Sequence, residues 1–117
     1  MNIRECYETL GSNYDEVLRR FCGSEDTVKR FALKFLDDGT YDELCSAMEE
    51  SDGERAFRAA HTLKGIAINL GFDLLFAAAN ELTEALRAER NTAHGVDGFA
   101  AVKDEYAACA AALTALD

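Results

Sequence analysis

The sequence contains no proline, and none of its apolar runs approaches the roughly 18 residues that a membrane-spanning helix needs. Because proline interrupts helices, its absence favours helix throughout, as does the abundance of alanine, leucine, glutamate and arginine. The N-terminus also lacks the pattern of a signal peptide. We therefore expect a soluble, cytoplasmic helical protein, and the starting methionine suits a stand-alone chain.

Basic residues are scarce: 12 lysines and arginines stand against 22 aspartates and glutamates, for a net charge of −10. A nucleic-acid-binding surface needs a basic stripe, so this balance argues against nucleic acid as a partner. The acidic residues cluster near the predicted helix ends, where they are more typical of caps and solvated faces than of a site.

Metal-binding residues are few and scattered. The four cysteines are far apart, show no Cys-x-x-Cys spacing and fall beside apolar helix positions, so we expect reduced thiols that pack as small apolar side chains. The two histidines lie about 33 positions apart without a Glu-x-x-His pair, which does not provide the ligands of a di-iron bundle. We expect no metal and no resident cofactor.

The apolar residues recur at helical spacing along the 117 residues, which suit a single domain spanning residues 1–117. The pattern predicts an all-α, antiparallel up-and-down four-helix bundle with one or two short N-terminal helices packed on it. We expect a monomer. The clearest apolar stripe is that of the last helix, where successive apolar residues are alternately three and four positions apart: Phe99, Val102, Tyr106, Cys109, Leu113 and Leu116.

One predicted helix, from about residue 54 to residue 70, ends at Gly71, a residue suited to a helix C-terminus. At about 100° per residue, its core face is a stripe that excludes His61. His61 points almost directly away from this stripe and is predicted to be exposed at mid-helix. The stripe consists of Ala56, Ala59, Leu63, Ile66 and Leu70.

The exposed side of this helix suggests a function for His61. A solvated imidazole is mostly unprotonated at neutral pH and can accept a phosphoryl group on a ring nitrogen. Lys64, one turn away, can hydrogen-bond the phosphoryl oxygens, and Gly65 leaves room for a partner's active site. The apolar Phe57 and Ile68 can form a docking rim. By itself, this spacing does not distinguish phosphoryl transfer from, for example, a pH-sensing contact.

The segment from His61 to Gly71 resembles the signature of histidine-containing phosphotransfer (HPt) domains. In that family a histidine is followed by any residue, an aliphatic residue, lysine and glycine, and then by a stretch of small residues ending in aliphatic-glycine. This chain matches with His61, Leu63, Lys64, Gly65 and the pair Leu70-Gly71. The alanine-rich helix from Ala77 to Leu86 is similar to the family's next helix.

The resemblance implies a phosphorelay carrier without a catalytic centre of its own. His61 would accept a phosphoryl group from a receiver-domain aspartyl phosphate or from a histidine kinase, and pass it to another receiver aspartate. Mg²⁺ would belong to the receiver. Many family members have a glutamate where this chain has Thr83, so either Asn80 or Thr83 would have to orient the histidine ring.

Two further expectations concern the surface. Arg58 and Lys64, extended by Arg55, predict a small basic and apolar docking island on an acidic body. His94, in a loop without a lysine-glycine partner, is expected to be an ordinary surface residue. The rival function is a helical adaptor that docks a receiver domain through the island around His61 without being phosphorylated.

Overall fold

Seven α-helices and two 3-10 turns make up the chain, with no strand, in a computed structural model that describes residues 1–117. The all-α prediction is therefore confirmed. No helix combines the length and the apolar character that crossing a membrane requires. The helices are α1 (Ile3–Thr9), α2 (Tyr14–Arg20), α3 (Glu25–Lys34), α4 (Thr40–Glu49), α5 (Gly53–Leu70), α6 (Asp73–Arg87) and α7 (Val96–Thr114), and the 3-10 turns are Phe35–Asp37 and Thr92–Gly95.

Helices α4 to α7 form the predicted bundle. Each packs on the next in sequence order, and the short connections between them make neighbouring helices antiparallel. Tyr41 of α4 stacks on Tyr106 of α7 with ring centroids 3.7 Å apart, which brings the first and last helices of the bundle together. One or two short helices were expected before the bundle, and α1 and α2, with seven residues each, fit that expectation. A third helix, α3, also precedes the bundle and has ten residues, as many as α4.

The bounds of α5 follow from local chemistry at its two ends. Asp52 caps the N-terminus, where its side chain accepts a hydrogen bond of 3.1 Å from the backbone N–H of Arg55. Gly71 ends the helix in the left-handed conformation, with φ of 77°, as the sequence predicted. A Cβ atom at Gly71 would also lie 2.1 Å from Cγ2 of Val17, so the close approach of α2 requires glycine as well.

The N-terminal helices cover the C-terminal end of α5. The Tyr7 hydroxyl donates a buried hydrogen bond of 2.6 Å to the carbonyl of Leu70, and the Arg20 guanidinium donates an exposed hydrogen bond of 2.5 Å to the carbonyl of Ile68. A helix leaves its last four carbonyls without intrahelical partners, and these two contacts provide donors to two of them. The end of α5 is thereby fixed against α1 and α2.

The face of α5 that packs on the bundle agrees with the predicted stripe at four of five positions. Ala56, Ala59, Leu63 and Leu70 are buried, and the structure adds Ala60 and Ala67 to them. Ile66 was expected in the core but is half-buried. It lines an open groove between α3 and α5 with Phe31 and Phe35, because α3 covers this part of α5 incompletely.

The four cysteines are all free thiols, but their surroundings differ. Cys6 and Cys109 are buried, as expected, and Cys45 is half-buried. The expectation is wrong for Cys22, which is exposed because it lies in the turn beyond the end of α2, with φ of 57°. Burial raises the pKa of the Cys109 thiol to about 12 and shifts the pKa of Cys6 in the same direction.

Thiol reactivity should follow this difference. Because the thiolate is the reactive form, we expect a neutral alkylating reagent at pH 8 to modify Cys22 first and to leave Cys6 and Cys109 unmodified in the folded protein. Mass spectrometry of proteolytic peptides after timed alkylation measures the order. Modification of Cys109 as fast as Cys22 in the folded protein would contradict the burial described above.

Candidate functional site

His61 lies in the middle of α5, on the side that faces away from the bundle core. Its side chain is exposed and forms no hydrogen bond with another residue. The buried residues Ala60 and Leu63 on either side in sequence fix the rotation of the helix, so the position of the imidazole is set by the core packing of α5. The ring is accessible to a partner.

Lys64 is half-buried one helical turn after His61, and its ammonium group is held by the neighbouring helix. The Nζ atom donates a hydrogen bond of 3.1 Å to Oδ1 of Asn80 on α6. No carboxylate lies within salt-bridge distance of Lys64, so its charge is not paired within the chain. A neutral amide thus fixes the position of a cation and leaves its charge available for a ligand.

Gly65 has no packing reason to be glycine. A Cβ atom at this position would meet nothing within 4 Å, whereas one at Gly53 would lie 1.4 Å from the carbonyl oxygen of Arg90. A glycine inside a helix costs about 1 kcal/mol relative to alanine. The structure therefore contains an unfavourable residue whose missing side chain opens the surface one turn from His61.

Phe57, one turn before His61, is a neighbour of the imidazole ring. The two rings are nearly parallel, with centroids 6.1 Å apart and an angle of 15° between their planes. Phe57 is half-buried, and the guanidinium carbon of Arg90 lies 3.6 Å from its ring centroid. Arg90 thus covers part of the Phe57 ring, and Ile68, the other residue predicted for the docking rim, is half-buried as well.

The two residues suggested for orienting the ring of His61 are engaged elsewhere. Asn80 accepts from Lys64, and Thr83 is completely buried, with its hydroxyl donating to the carbonyl of Ala79 at 2.7 Å. Neither forms a hydrogen bond with His61. A threonine hydroxyl inside a helix readily bonds the carbonyl four residues earlier, which explains why Thr83 points away from the imidazole.

Ion pairs hold the arginines that lie at and near the ring of Phe57. Glu54 pairs with Arg58 at 3.2 Å and with Arg90 at 3.1 Å, and Glu84 pairs with Arg87 at 2.8 Å. The Arg87 guanidinium, with smaller contributions from Lys64 and His61, holds the pKa of Glu84 below its usual value. The surface is therefore mixed in charge and not a basic island, and Lys64 is its one unpaired cation.

Arg55 does not extend this surface, contrary to the sequence-based expectation. It projects toward α4, where its guanidinium pairs with Glu43 at 2.7 Å and with Glu50, and lies 3.9 Å from Asp52. These three carboxylates neutralise Arg55 and join the end of α4 to the start of α5. These contacts stabilise the packing of α4 on α5. The periodic pattern of α5 alone does not reveal them, because they join two different helices.

The other histidine has none of these features. His94 is exposed in the 3-10 turn before α7, and its Nδ1 atom lies 4.0 Å from a carboxylate oxygen of Glu89. Asp97 stands where His61 has a lysine. The glycine four residues after His94, Gly98, packs so closely on α6 that a Cβ atom there would lie 3.3 Å from Cα of Leu82. Histidine, cysteine and acidic side chains do not gather anywhere in the structure in a group of three or more that could hold a metal ion.

One protein family matches most of the chain. The sequence profile of the Hpt domain matches residues 36–112. The chain belongs to the Hpt domain family. No curated protein and no solved structure matches it. Hpt domains are histidine-containing phosphotransfer carriers of phosphorelays, and the family generally works with receiver domains and kinases. In general they are phosphocarrier modules and not catalytic enzymes.

The matched part of this Hpt domain contains the whole surface around His61. It begins in the 3-10 turn before α4 and ends near the end of α7, so it corresponds to the four-helix bundle, and α1 to α3 precede it. Sequence reasoning missed the contribution of Arg90 and of the pair between Glu84 and Arg87. The spacing of Glu84 and Arg87 was a readable signal, whereas no local pattern joins Arg90 to Phe57.

Proposed function

We propose that His61 is the phosphoryl-accepting residue of this Hpt domain. The observation that carries the proposal is the open side of Gly65 next to an exposed imidazole. The chain carries an unfavourable helical glycine where nothing inside the protein would contact a side chain. A partner that must bring an aspartyl phosphate in line with a His61 nitrogen would need that space.

The transfer step requires little from the carrier. A lone pair on an imidazole nitrogen attacks phosphorus, an N–P bond forms, and the P–O bond to the receiver aspartate breaks and leaves a free carboxylate. The other ring nitrogen keeps its proton. In the transfer to a second receiver, the N–P bond breaks and a P–O bond to the second receiver's aspartate forms. Because the transition state of phosphoryl transfer is loose, positioning and charge compensation are the main requirements.

Lys64 is suited to the charge compensation. The transferred group brings additional negative charge to an already acidic protein, and Lys64 is the cation on this face that no carboxylate neutralises. We propose that it donates a charge-assisted hydrogen bond to a phosphoryl oxygen while Asn80 keeps it in place. The protein itself would supply no metal, and the receiver domain would supply Mg²⁺ in its own acidic site.

Lys64→Ala is expected to slow phosphoryl transfer to His61 by roughly tenfold to a hundredfold, the effect of losing one hydrogen bond to a charged group. Rapid-quench assays with a phosphorylated receiver domain measure the rate constant. Lys103→Ala, which removes an exposed lysine of α7, is the control and should leave the rate constant unchanged. Equal rates for Lys64→Ala and the unmodified protein would remove Lys64 from the mechanism.

The experiment that separates a carrier from a docking adaptor uses a receiver domain with a labelled aspartyl phosphate. A carrier acquires label that is labile in acid and stable in alkali, as phosphohistidine is. An adaptor binds the receiver, which titration calorimetry detects, and acquires no label.

We also propose a cytoplasmic location, because four free thiols persist in a reducing compartment.

A further inference from the structure

The imidazole of His61 lies against the ring of Phe57. The two residues are four positions apart on α5, so their side chains lie one above the other on the same side of the helix. The centroid separation of 6.1 Å and the angle of 15° fall within the range of offset-stacked aromatic rings. No hydrogen bond competes with this contact for the orientation of the imidazole.

Phe57 is itself held in place by Arg87, the last residue of α6, and by Arg90 in the turn that follows. The Arg90 guanidinium carbon lies 3.6 Å from the ring centroid of Phe57, and that of Arg87 lies 5.3 Å from it. Both distances are within the range of cation–π contacts. Phe57 also packs against the hydrophobic core, and its ring is therefore fixed both by the core and by the arginine side chains.

Arg90 is fixed by its backbone and by its side chain. It has a φ of 52°, an unfavourable value for a residue other than glycine, and its carbonyl oxygen rests against Gly53 so closely that a Cβ atom there would be 1.4 Å away. Its guanidinium pairs with Glu54 at 3.1 Å and donates to carbonyls at the end of α6. The start of α5 and the end of α6 thus hold this arginine over Phe57.

We infer that Phe57 is a positioning residue for His61, and that Arg90 holds Phe57 in the orientation that does this. The stack limits the rotation of the imidazole, so a ring nitrogen is presented in one direction to the incoming phosphorus. The proposed phosphoryl transfer depends on such alignment, and the inference rests on that function. Phe57 takes the role for which Asn80 and Thr83 were considered from the sequence.

The orientation of the ring can be measured without phosphorylation. Three-bond couplings in isotope-labelled protein report the χ1 rotamer populations of His61, and its ring-proton shifts report the nearby aromatic ring. Phe57→Leu removes the aromatic ring and keeps an apolar side chain, and Arg90→Gln removes the cation. Phe99→Leu is the matched control, since Phe99 is also half-buried and has a lysine, Lys103, 5.8 Å from its ring centroid.

We expect one dominant His61 rotamer in the unmodified protein and a spread of rotamers in Phe57→Leu. Arg90→Gln should spread the rotamers to a smaller extent, and Phe99→Leu should not change them. Equal rotamer populations in the unmodified protein, or unchanged populations in Phe57→Leu, would overturn the inference. Amide spectra identify any variant that does not fold. Phe57→Tyr keeps an aromatic ring at this position and should show the same dominant His61 rotamer as the unmodified protein.

Transfer kinetics provide the second readout. With a phosphorylated receiver domain as donor, Phe57→Leu should lower the saturating rate constant roughly twofold to tenfold, the effect of freeing one side chain, and leave the half-saturating concentration unchanged. A raised half-saturating concentration with an unchanged rate constant would instead make Phe57 a docking residue and refute the positioning role. If the unmodified protein takes up no phosphoryl group, the proposed function fails, while the rotamer measurement still decides whether Phe57 positions the ring.

Discussion

Replacing His61 by glutamine is expected to abolish phosphorylation of the protein, whereas His94→Gln should leave it unchanged. Glutamine is polar and of similar size, but its amide nitrogen is not a nucleophile. Because His61 is exposed and has no hydrogen-bond partner, only its stacking on Phe57 is lost, and the free energy of unfolding should fall by at most about 1.5 kcal/mol. Time courses with a labelled receiver phosphate, together with thermal unfolding, measure both quantities.

His94→Gln makes this comparison specific. His94 is also exposed and also lies within the residues that match the Hpt domain, so the family match alone does not choose between the two histidines. Lys64 and Gly65, one turn after His61, are the reason why we assign the phosphoryl group to His61 and not to His94. Label that persists in His61→Gln and disappears in His94→Gln would show that the wrong histidine was selected.

Gly65→Gln is expected to separate stability from function. Glutamine is a good helix former, and its Cβ atom would meet no other residue, so the free energy of unfolding should rise by up to about 1 kcal/mol. Its side chain would occupy the space beside His61 that a receiver domain must enter. A displacement of about 1 Å in the aligned atoms costs roughly a hundredfold in rate, and we expect a loss of that order.

Gly65→Ala is the graded control for this prediction. A single methyl group should give the gain in stability with a smaller loss of transfer, because it reaches less far toward the imidazole. Chemical denaturation measures the free energy of unfolding, and rapid-quench assays measure the rate constant. If Gly65→Gln transferred phosphoryl groups as fast as the unmodified protein, the open side of Gly65 would have no role in partner access.

The features of the site that could be predicted from sequence are those set by the period of one helix. The exposure of His61, the burial of Leu63 and the helix end at Gly71 all follow from positions within α5. The opening at Gly65 was predictable for the same reason. A helix that packs on one face fixes the direction of every side chain along it, so a local pattern is sufficient.

Contacts between helices were not predictable in this way. Asn80 was considered for the imidazole and instead binds Lys64, because the relative rotation of α5 and α6 decides which α5 side chain it meets. Arg55 was expected beside His61 but pairs with carboxylates of α4 and of the turn that follows it. Arg90 reaches Phe57 through a chain reversal with positive φ that no periodicity describes.

The half-exposure of Ile66 has a similar origin. Its angular position on α5 is close to the core stripe, and the periodic pattern therefore assigned it to the core. Burial also depends on what covers the position, and α3 leaves an open groove there. The packing of α3, α1 and α2 on α5 depends on particular close approaches, such as that of Val17 to Gly71, which a single sequence does not reveal.

The central claim, that an imidazole nitrogen of His61 carries the phosphoryl group, can be tested most directly by nuclear magnetic resonance of the phosphorylated protein. The nitrogen-15-labelled chain is phosphorylated by a receiver domain, and one-bond coupling between phosphorus-31 and nitrogen-15 is measured with the imidazole signals assigned. We predict coupling to a ring nitrogen of His61 alone. Coupling to His94, or a phosphoryl group bound to oxygen with no coupling to nitrogen, would contradict the claim.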